Sequence, residues 1–364
     1  MRNFNHHLLR RGGDIVLFTS ILLELIENFK GERSFRAPYY ILQGKRSGQT
    51  IQDLHQLKLY PFFHLLPKLN VKEYDAYLQK LVKEELIVRK GESLILTSLG
   101  MEMRKNHPAP SLFGWKFKGN ELIFGNRLNL IIQTLSHLSK RDRHFVPMIR
   151  DERIRQYVKV WIRNTYYQGV ERNVLRELEN VLTSAIFPPI ERAIFVYRLS
   201  GKSVTSLTWS QLADKFHLTK YDVYIYYVMI LQKLIHTIEK EQTKYPILVS
   251  ISADLYTSKE LTNSAQKTWE LFQQGYVLHD IANKRRLKSS TIEDHFVEIA
   301  SVYPDVMAFF LEDSKRLMGE KVLENVESFK LSALKPLLPT FSYFELRLLL
   351  TWKENGNGQT GSNT

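Results

Sequence analysis

Residues 269–300 read WELFQQGYVLHDIANKRRLKSSTIEDHFVEIA, and the fold class turns on them. A first helix over about 268–274 is ended by Gly275. A second, over about 278–283, sets Leu278, Ile281 and Ala282 on one face at the spacing of a buried stripe. Lys284-Arg285-Arg286-Leu287-Lys288 follow as a basic turn. Ser290-Thr291-Ile292-Glu293 then has the form of a capping box, in which the Ser290 hydroxyl accepts the Glu293 backbone N–H and Glu293 reaches back. The helix that opens there carries Ile292, Phe296, Ile299 and Ala300 on one side. This is a helix-turn-helix pattern, with the second helix offered to a groove and the first bracing it.

Four of the five residues 284–288 are cationic. They abut a helix N-terminus, where phosphate oxygens are accommodated. The alternative is an ordinary solvated turn. From Ser290 to Ser301 there is no Lys or Arg, whereas Glu293, Asp294 and Glu298 are acidic. Such a helix can position a phosphate backbone but offers few partners for guanine. Thr291 and His295 remain as the outward candidates for base contact.

The block over about 265–350 resembles the C-terminal helix-turn-helix domain attached to some RecQ-type DNA helicases. The matching residues are LFQQG, IANKRRLKSSTIEDHF, LKPLLP and SYFELRLLL. The whole chain resembles the YpbB-like proteins of Gram-positive bacteria, which carry that domain without the motor. The resemblance implies a DNA-associated accessory of a helicase.

A chain of 364 residues has room for two or three domains. With 44% hydrophobic and 12% aromatic residues it can build real cores. Lys and Arg number 51 against 38 acids, a net charge of +13, which favours a polyanionic partner. Cysteine is absent, which removes disulfides, thiolate zinc sites and cysteine nucleophiles together. No leader-like h-region and no apolar run of membrane-spanning length occurs, so the expected setting is the cytoplasm, in association with the nucleoid.

The expected architecture is mainly α: a winged helix at the N-terminus, then two helix-turn-helix type helical domains. The segments are 1–105, the winged helix; 106–185, a linker and basic helical segment; 186–255, a second helix-turn-helix unit; 256–352, the domain quoted first; and 353–364, a polar, Gly-rich and disordered tail. In the first segment, helices over about 14–30, from Thr50 and from Val71 precede short strands at 86–88 and 94–97. Thr50-Ile51-Gln52-Asp53 and Asn70-Val71-Lys72-Glu73 read as caps. Three helices and a hairpin make a winged helix. ILQGKRS and LILTSLG resemble the winged-helix domain that follows the RecQ motor. That resemblance implies duplex binding, but the hairpin tip Lys90-Gly91-Glu92-Ser93 has no aromatic, so strand separation by the tip is not expected. Lys45, Arg46, Lys72, Arg89 and Lys90 are the phosphate-contact candidates here.

Between Arg127 and Arg176 eleven residues are Lys or Arg, and Arg141, Arg143, Arg150 and Arg153 head an expected electrostatic surface. Ile154, Tyr157, Val158, Trp161 and Ile162 fall at core spacing, so the aromatics are expected to pack rather than stack on bases. Thr208 and Thr219 each open a capped helix. The second of these helices is apolar nearly all round, as a packing element or a protein-binding face would be. Together the two helices make a second helix-turn-helix, which resembles the tetrahelical units of sigma factors. Residues 247–251 look extended.

Ser200-Gly201-Lys202-Ser203 fails as a phosphate loop, because Val196 stands where the motif needs glycine. No hydrolase, zincin or dinucleotide signature occurs. His6-His7 is a weak metal pair. No catalytic residue, cofactor or small-molecule substrate is expected. The leading expectation is a non-enzymatic accessory of a RecQ-type helicase, binding duplex or forked DNA in recombination or repair. Its phosphate contacts would be the residues named above together with Lys284, Arg285, Arg286, Lys288 and Ser290, with apolar surface of the second unit holding the motor. The alternatives are a helix-turn-helix transcription regulator and a protein adaptor without DNA binding.

Overall fold

The computed structural model describes residues 17–255, 261–326 and 330–359. Helices dominate. In chain order they begin with α1 (Leu17–Phe29), α2 (Ala37–Gln43), α3 (Gly48–Gln56) and α4 (Val71–Lys83). Strands β1 (Ile87–Lys90) and β2 (Ser93–Leu96) come next, paired antiparallel from Ile87 opposite Leu96 to Lys90 opposite Ser93. Then follow α5 (Ser98–Asn106), α6 (Gly114–Phe117), α7 (Asn120–Leu138), α8 (Glu152–Thr165), α9 (Val170–Leu182) and α10 (Pro189–Tyr197). After these come α11 (Trp209–Phe216), α12 (Lys220–Lys240), α13 (Pro246–Ser252), α14 (Asn263–Gln273) and α15 (Leu278–Arg285). The last are α16 (Ser289–Val302), α17 (Asp313–Glu324), α18 (Leu331–Leu334) and α19 (Tyr343–Gln359). Short 3-10 segments lie at Tyr60–Phe62 and Pro304–Phe309. No helix among the described residues is long and apolar enough to cross a membrane.

Grouping in space differs from order along the chain. One unit comprises residues 1–24, 98–113 and 117–256; the other comprises 25–97, 114–116 and 257–364. Residues 25–97 of the segment expected to form a winged helix therefore share a unit with the C-terminal helix-turn-helix segment, while its two ends fall in the other.

The first unit is built around α12. Thr219 caps it in a box with Asp222, as its sequence implies. Val223, Ile225, Ile230 and Leu231 lose all contact with solvent, so this apolar helix is core and does not supply a free surface for a partner. Helices α7, α9, α10, α11 and α13 pack on it. Thr208 and Gln211 form the box that opens α11. Residues 247–251 are helical, not extended. Pro246 occupies the first turn of α13, and the Glu177 carboxylate accepts the backbone N–H groups of Ile247 (3.1 Å) and Leu248 (3.0 Å). A carboxylate there satisfies donors that a helix start leaves open.

In the second unit α16 is the axis. Ile292, Phe296, Ile299 and Ala300 are sealed in, and α14, α15, α3 and α19 pack around the helix. Each large side chain buried this way contributes about 1.5–3 kcal/mol. Helix α3 lies beside α16 and parallel to it: Gly48 sits against Asp294 at one end, and His55 Nε2 meets Ser301 Oγ at 3.0 Å at the other. From α19, Arg347 joins both, donating through Nε to Gln52 Oε1 (3.0 Å) and through Nη1 to the Asp294 carboxylate. Leu311, Leu334, Leu338, Phe341, Leu346 and Leu349 form a smaller cluster at the C-terminal end of the chain.

Several expected helix starts move. Helix α3 begins at Gly48 with Ser47 as its cap residue. Thr50 lies inside it and is buried, with its hydroxyl 2.8 Å from Ser47 Oγ, and Asp53 binds Arg33 (2.8 Å) instead of closing a box. Asn70 does cap α4, accepting the Lys72 N–H at 2.8 Å. Helix α19 continues to Gln359, and residues 360–364 lie outside the described residues.

Removing Arg347 strands a partly covered Asp294 carboxylate and the buried Gln52 amide. Arg347→Ala is expected to destabilise the second unit by about 3 kcal/mol, the low end for a broken buried pair because Asp294 keeps some solvent. Urea unfolding followed by tryptophan fluorescence measures it, and a change below about 0.5 kcal/mol, the range of a neutral surface substitution, contradicts it.

Candidate nucleic-acid interface

The helix-turn-helix is assembled from α14, α15 and α16. Thr262 opens α14, accepting the Ala265 N–H at 3.2 Å. The Thr262 hydroxyl in turn donates to Glu298 of α16 (3.0 Å), so an acid that looked free in the sequence is a buried anchor. Ile281 and Ala282 of α15 pack into the same core as Ile292 and Phe296. The chain turns between α15 and α16 on Arg286, which adopts the left-handed conformation (φ 53°) and directs its N–H back to the last carbonyls of α15. A residue with a Cβ pays roughly 1 kcal/mol for that conformation, where glycine is the usual choice. Lys288, extended, precedes the first turn of α16 with no side-chain cap. The expected box at Ser290 is therefore not formed: the helix starts at Ser289, and Ser290 is an exposed first-turn residue.

The five residues of the basic turn part ways. Lys284, Arg286 and Lys288 are exposed, and among the described residues none forms a salt bridge. Lys284 lies over the Tyr276 ring and donates to its hydroxyl (3.2 Å). Arg285, expected to contact phosphate, folds inward instead. Its guanidinium donates to the Ser264 carbonyl (2.8 Å), to Ser264 Oγ (3.0 Å) and to the Thr268 hydroxyl. It thereby ties α15 to α14.

His295 corrects a second expectation. It does not face outward for base contact. Only 8% of its surface is exposed, and its Nδ1 lies 2.8 Å from Thr268 Oγ1 and 3.3 Å from Arg285 Nη1. Burial, and then the adjacent Arg285 charge, lower its pKa to about 4, so the ring is neutral at physiological pH. With Arg285 donating to Thr268, the Thr268 proton is free to point at Nδ1, which leaves the ring proton on Nε2. Thr291 is half-buried. What α16 offers outward is its tip, Ser289 and Ser290 beside Lys288, and not a long reading face.

Elsewhere in this unit Lys45, Arg46, Lys72 and Lys90 are exposed. Lys45 rests over the Tyr40 ring at 3.8 Å. Arg89 is exposed but engaged: it pairs with Glu92 (3.2 Å), donates to the Gly91 carbonyl (2.9 Å) and stacks over Phe35. The Lys90–Ser93 turn is thus braced from its own side chains.

In the first unit, Arg141, Arg143 and Arg150 project from the loop between α7 and α8, and Arg153 from the first turn of α8. The loop is pinned beneath them. Asp142 accepts from the His144 N–H (3.1 Å) and meets His137 Nδ1 (3.0 Å) and Lys202 Nζ (3.2 Å), contacts that hold its carboxyl down at about 2. Gln133 bonds the backbone of Val146 and Met148. Arg127, counted in the basic run, is internal: it forms a bidentate pair with Asp254 and lies 3.4 Å from the Tyr157 ring centre. Trp161 is buried and donates to Ser250 Oγ (3.0 Å), so these aromatics pack, as their spacing implies.

Sequence reasoning missed the group formed by Gly48, Gln52, Asp294 and Arg347. One signal was available: Arg347 interrupts the apolar run of α19, and a charge in such a stripe needs a buried partner. Among the described residues no cluster of three or more acidic or histidine side chains is placed to hold a metal. His6-His7 lies outside them.

Comparison with known proteins agrees with this geometry. Residues 264–350 match the family model of a helix-turn-helix domain. The chain is 29% identical to Protein YpbB of Bacillus subtilis (strain 168) over 347 residues, covering 92% of this chain and 97% of that protein. No solved structure matches. The helix-turn-helix match suggests DNA binding.

The state of His295 has a consequence for stability. In the unfolded chain a histidine titrates near 6.5, whereas in the fold the ring stays neutral down to about 4. As pH falls through that window the unfolded state binds the proton first, so stability drops by up to about 3 kcal/mol and the loss is complete below pH 4. Denaturant midpoints of the wild type and His295→Gln, compared at pH 7 and pH 4.5, measure this. The variant should lose distinctly less between the two pH values, and equal losses refute the assignment.

Proposed function

We propose that this protein is a non-enzymatic DNA-binding accessory of a RecQ-type helicase, acting in recombination or repair, and that its helix-turn-helix holds the phosphate backbone without reading sequence. One observation carries the second part. Lys284, Arg286 and Lys288 stand exposed at the α15–α16 turn, while the helix that would enter a groove is enclosed on its other faces by α14, α3 and α19. Charges on a turn of that kind meet phosphates, and base edges need a free helix face. His295 and Glu298 are spent on internal bonds, and Asp294 is held by Arg347. This weighs against a sequence-specific regulator.

The helicase as partner is supported by the resemblance of residues 265–350 to the domain carried by some RecQ-type enzymes. The cytoplasm, at the nucleoid, is the setting that follows from such a partner. The first segment of the chain, with β1 and β2 as its wing, is read as a winged helix on the same resemblance. Lys72, Arg89 and Lys90 would then serve as further backbone contacts, and Arg141, Arg143, Arg150 and Arg153 as those of the first unit. The wing tip holds Gly91 and Glu92, with no ring to wedge between bases.

Binding to a mixed-sequence duplex should weaken steeply with salt, because each neutralised phosphate releases counterion. Arg286→Ala with Lys288→Ala should lower the slope of log K against log salt by about 2. Fluorescence anisotropy across a salt series tests it. Selection from a random duplex pool should return no consensus, and a recovered consensus would sink the backbone-only reading. Capture of a RecQ-type helicase from nuclease-treated lysate tests the partner separately.

A further inference from the structure

The turn between α15 and α16 does not stand alone at its end of the second unit. Helices α3 and α16 run side by side in the same direction, since Gly48 lies against Asp294 and His55 against Ser301, seven residues further along each. Both helices therefore start at the same end. Helix α16 starts first: from Ser289 to Asp294 it extends about 8 Å beyond the start of α3. Arg46 is two residues from Gly48, which limits its backbone to about 7 Å from it, and Lys45 is one residue further. Lys45 and Arg46 are exposed at this end, as are Arg286 and Lys288, and among the described residues no ion pair occupies any of the four. In the first two turns of α16 the acids are Glu293, half-buried, and Asp294, whose carboxylate Arg347 already holds. Two loops far apart in the chain thus bring four unopposed cations to one edge.

We propose that the loop carrying Lys45 and Arg46 and the turn carrying Arg286 and Lys288 form a single binding site for the phosphodiester backbone of duplex DNA. The proposal rests on the DNA-binding reading above and adds that the site is composite, with both modules needed. All four side chains are open to solvent, as a strand lying across them requires. The register of α3 on α16 sets the spacing between the two pairs of charges. That register depends on Gly48, where a Cβ would fall 2.3 Å from the Asp294 carboxyl carbon.

The test uses the full chain and a labelled duplex of about 8 base pairs, roughly 27 Å long at 3.4 Å per base pair, beside one three times that length. Lys45→Ala with Arg46→Ala, Arg286→Ala with Lys288→Ala, and all four together are compared across a salt series. All four positions are exposed, and thermal melting verifies that each variant folds. Each double variant should lower the salt slope by about 2 on both duplexes, and the quadruple variant by about 4. If Arg286 and Lys288 matter and Lys45 and Arg46 do not, the composite site is overturned and the DNA-binding reading stands. An effect of Lys45 and Arg46 on the long duplex alone also overturns it, because the two pairs would then act on distant phosphates. If neither pair changes the slope, the DNA-binding reading of this edge falls as well. Tighter binding of an RNA duplex of the same sequence overturns the ligand class.

Discussion

The Arg347 guanidinium, shared between Asp294 on α16 and Gln52 on α3, is the contact on which the second unit depends. Apolar packing alone would hold three helices together without fixing how they slide, because it has no direction. A buried charge with specific partners does have direction. Displaced by one turn towards the start of α16, Arg347 would face Ser290 in place of Asp294 and lose its ion pair. Such a mismatch costs several kcal/mol, against a total stability of about 5–15 for a typical domain. Gly48 completes the constraint. The absence of a side chain there lets α3 approach Asp294, and no other residue fits without moving the carboxylate.

Once that register is set, the character of the helix-turn-helix follows. Its second helix is braced on several sides, and Asp294, His295, Glu298 and Ser301 are used internally. Glu298 holds the start of α14, His295 continues the chain of hydrogen bonds from Arg285 through Thr268, and Ser301 meets His55. A recognition helix in a groove needs its outward face for bases. Here that face is a structural seam, and what remains for solvent is a short tip flanked by cations. The same residues that make α16 a poor reader make it a stable support for the charges around its start.

Much of this was legible in the sequence. Local signals act over three or four residues and survive folding, which is why the caps at Thr208, Thr219 and Asn70 and the core stripe at Ile154, Val158 and Trp161 appear where their spacing puts them. Non-local partners rewrote the rest. Ser290 fits a capping box by pattern, but α16 begins at Ser289 because Arg286 can close α15 in a left-handed turn. Residues 247–251 have strand-like composition, but Glu177, some seventy residues earlier, caps them as a helix. Arg285 and His295 resemble their neighbours in the string and differ only in which way they face. A pattern of charges does not record orientation; Ser264 and Thr268 decide it.

These pairings redistribute the net charge without changing it. Each buried or half-buried ion pair, such as Arg33 with Asp53, Arg36 with Asp75, Arg127 with Asp254, Lys233 with Glu191 or Arg347 with Asp294, removes one cation and one acid together. The excess of +13 is unchanged by such pairing. It is carried by a smaller set of cations, and fewer acids remain on the surface to oppose them. Internal pairing therefore concentrates the field of the molecule instead of diluting it, since exposed charges interact over only about 8–10 Å at physiological salt. At that range what matters is the local balance. Around Lys45, Arg46, Arg286 and Lys288 the balance is strongly positive because Arg347 has already taken the Asp294 carboxylate, so the residue that fixes the register of the helices also unmasks the charges at their common end.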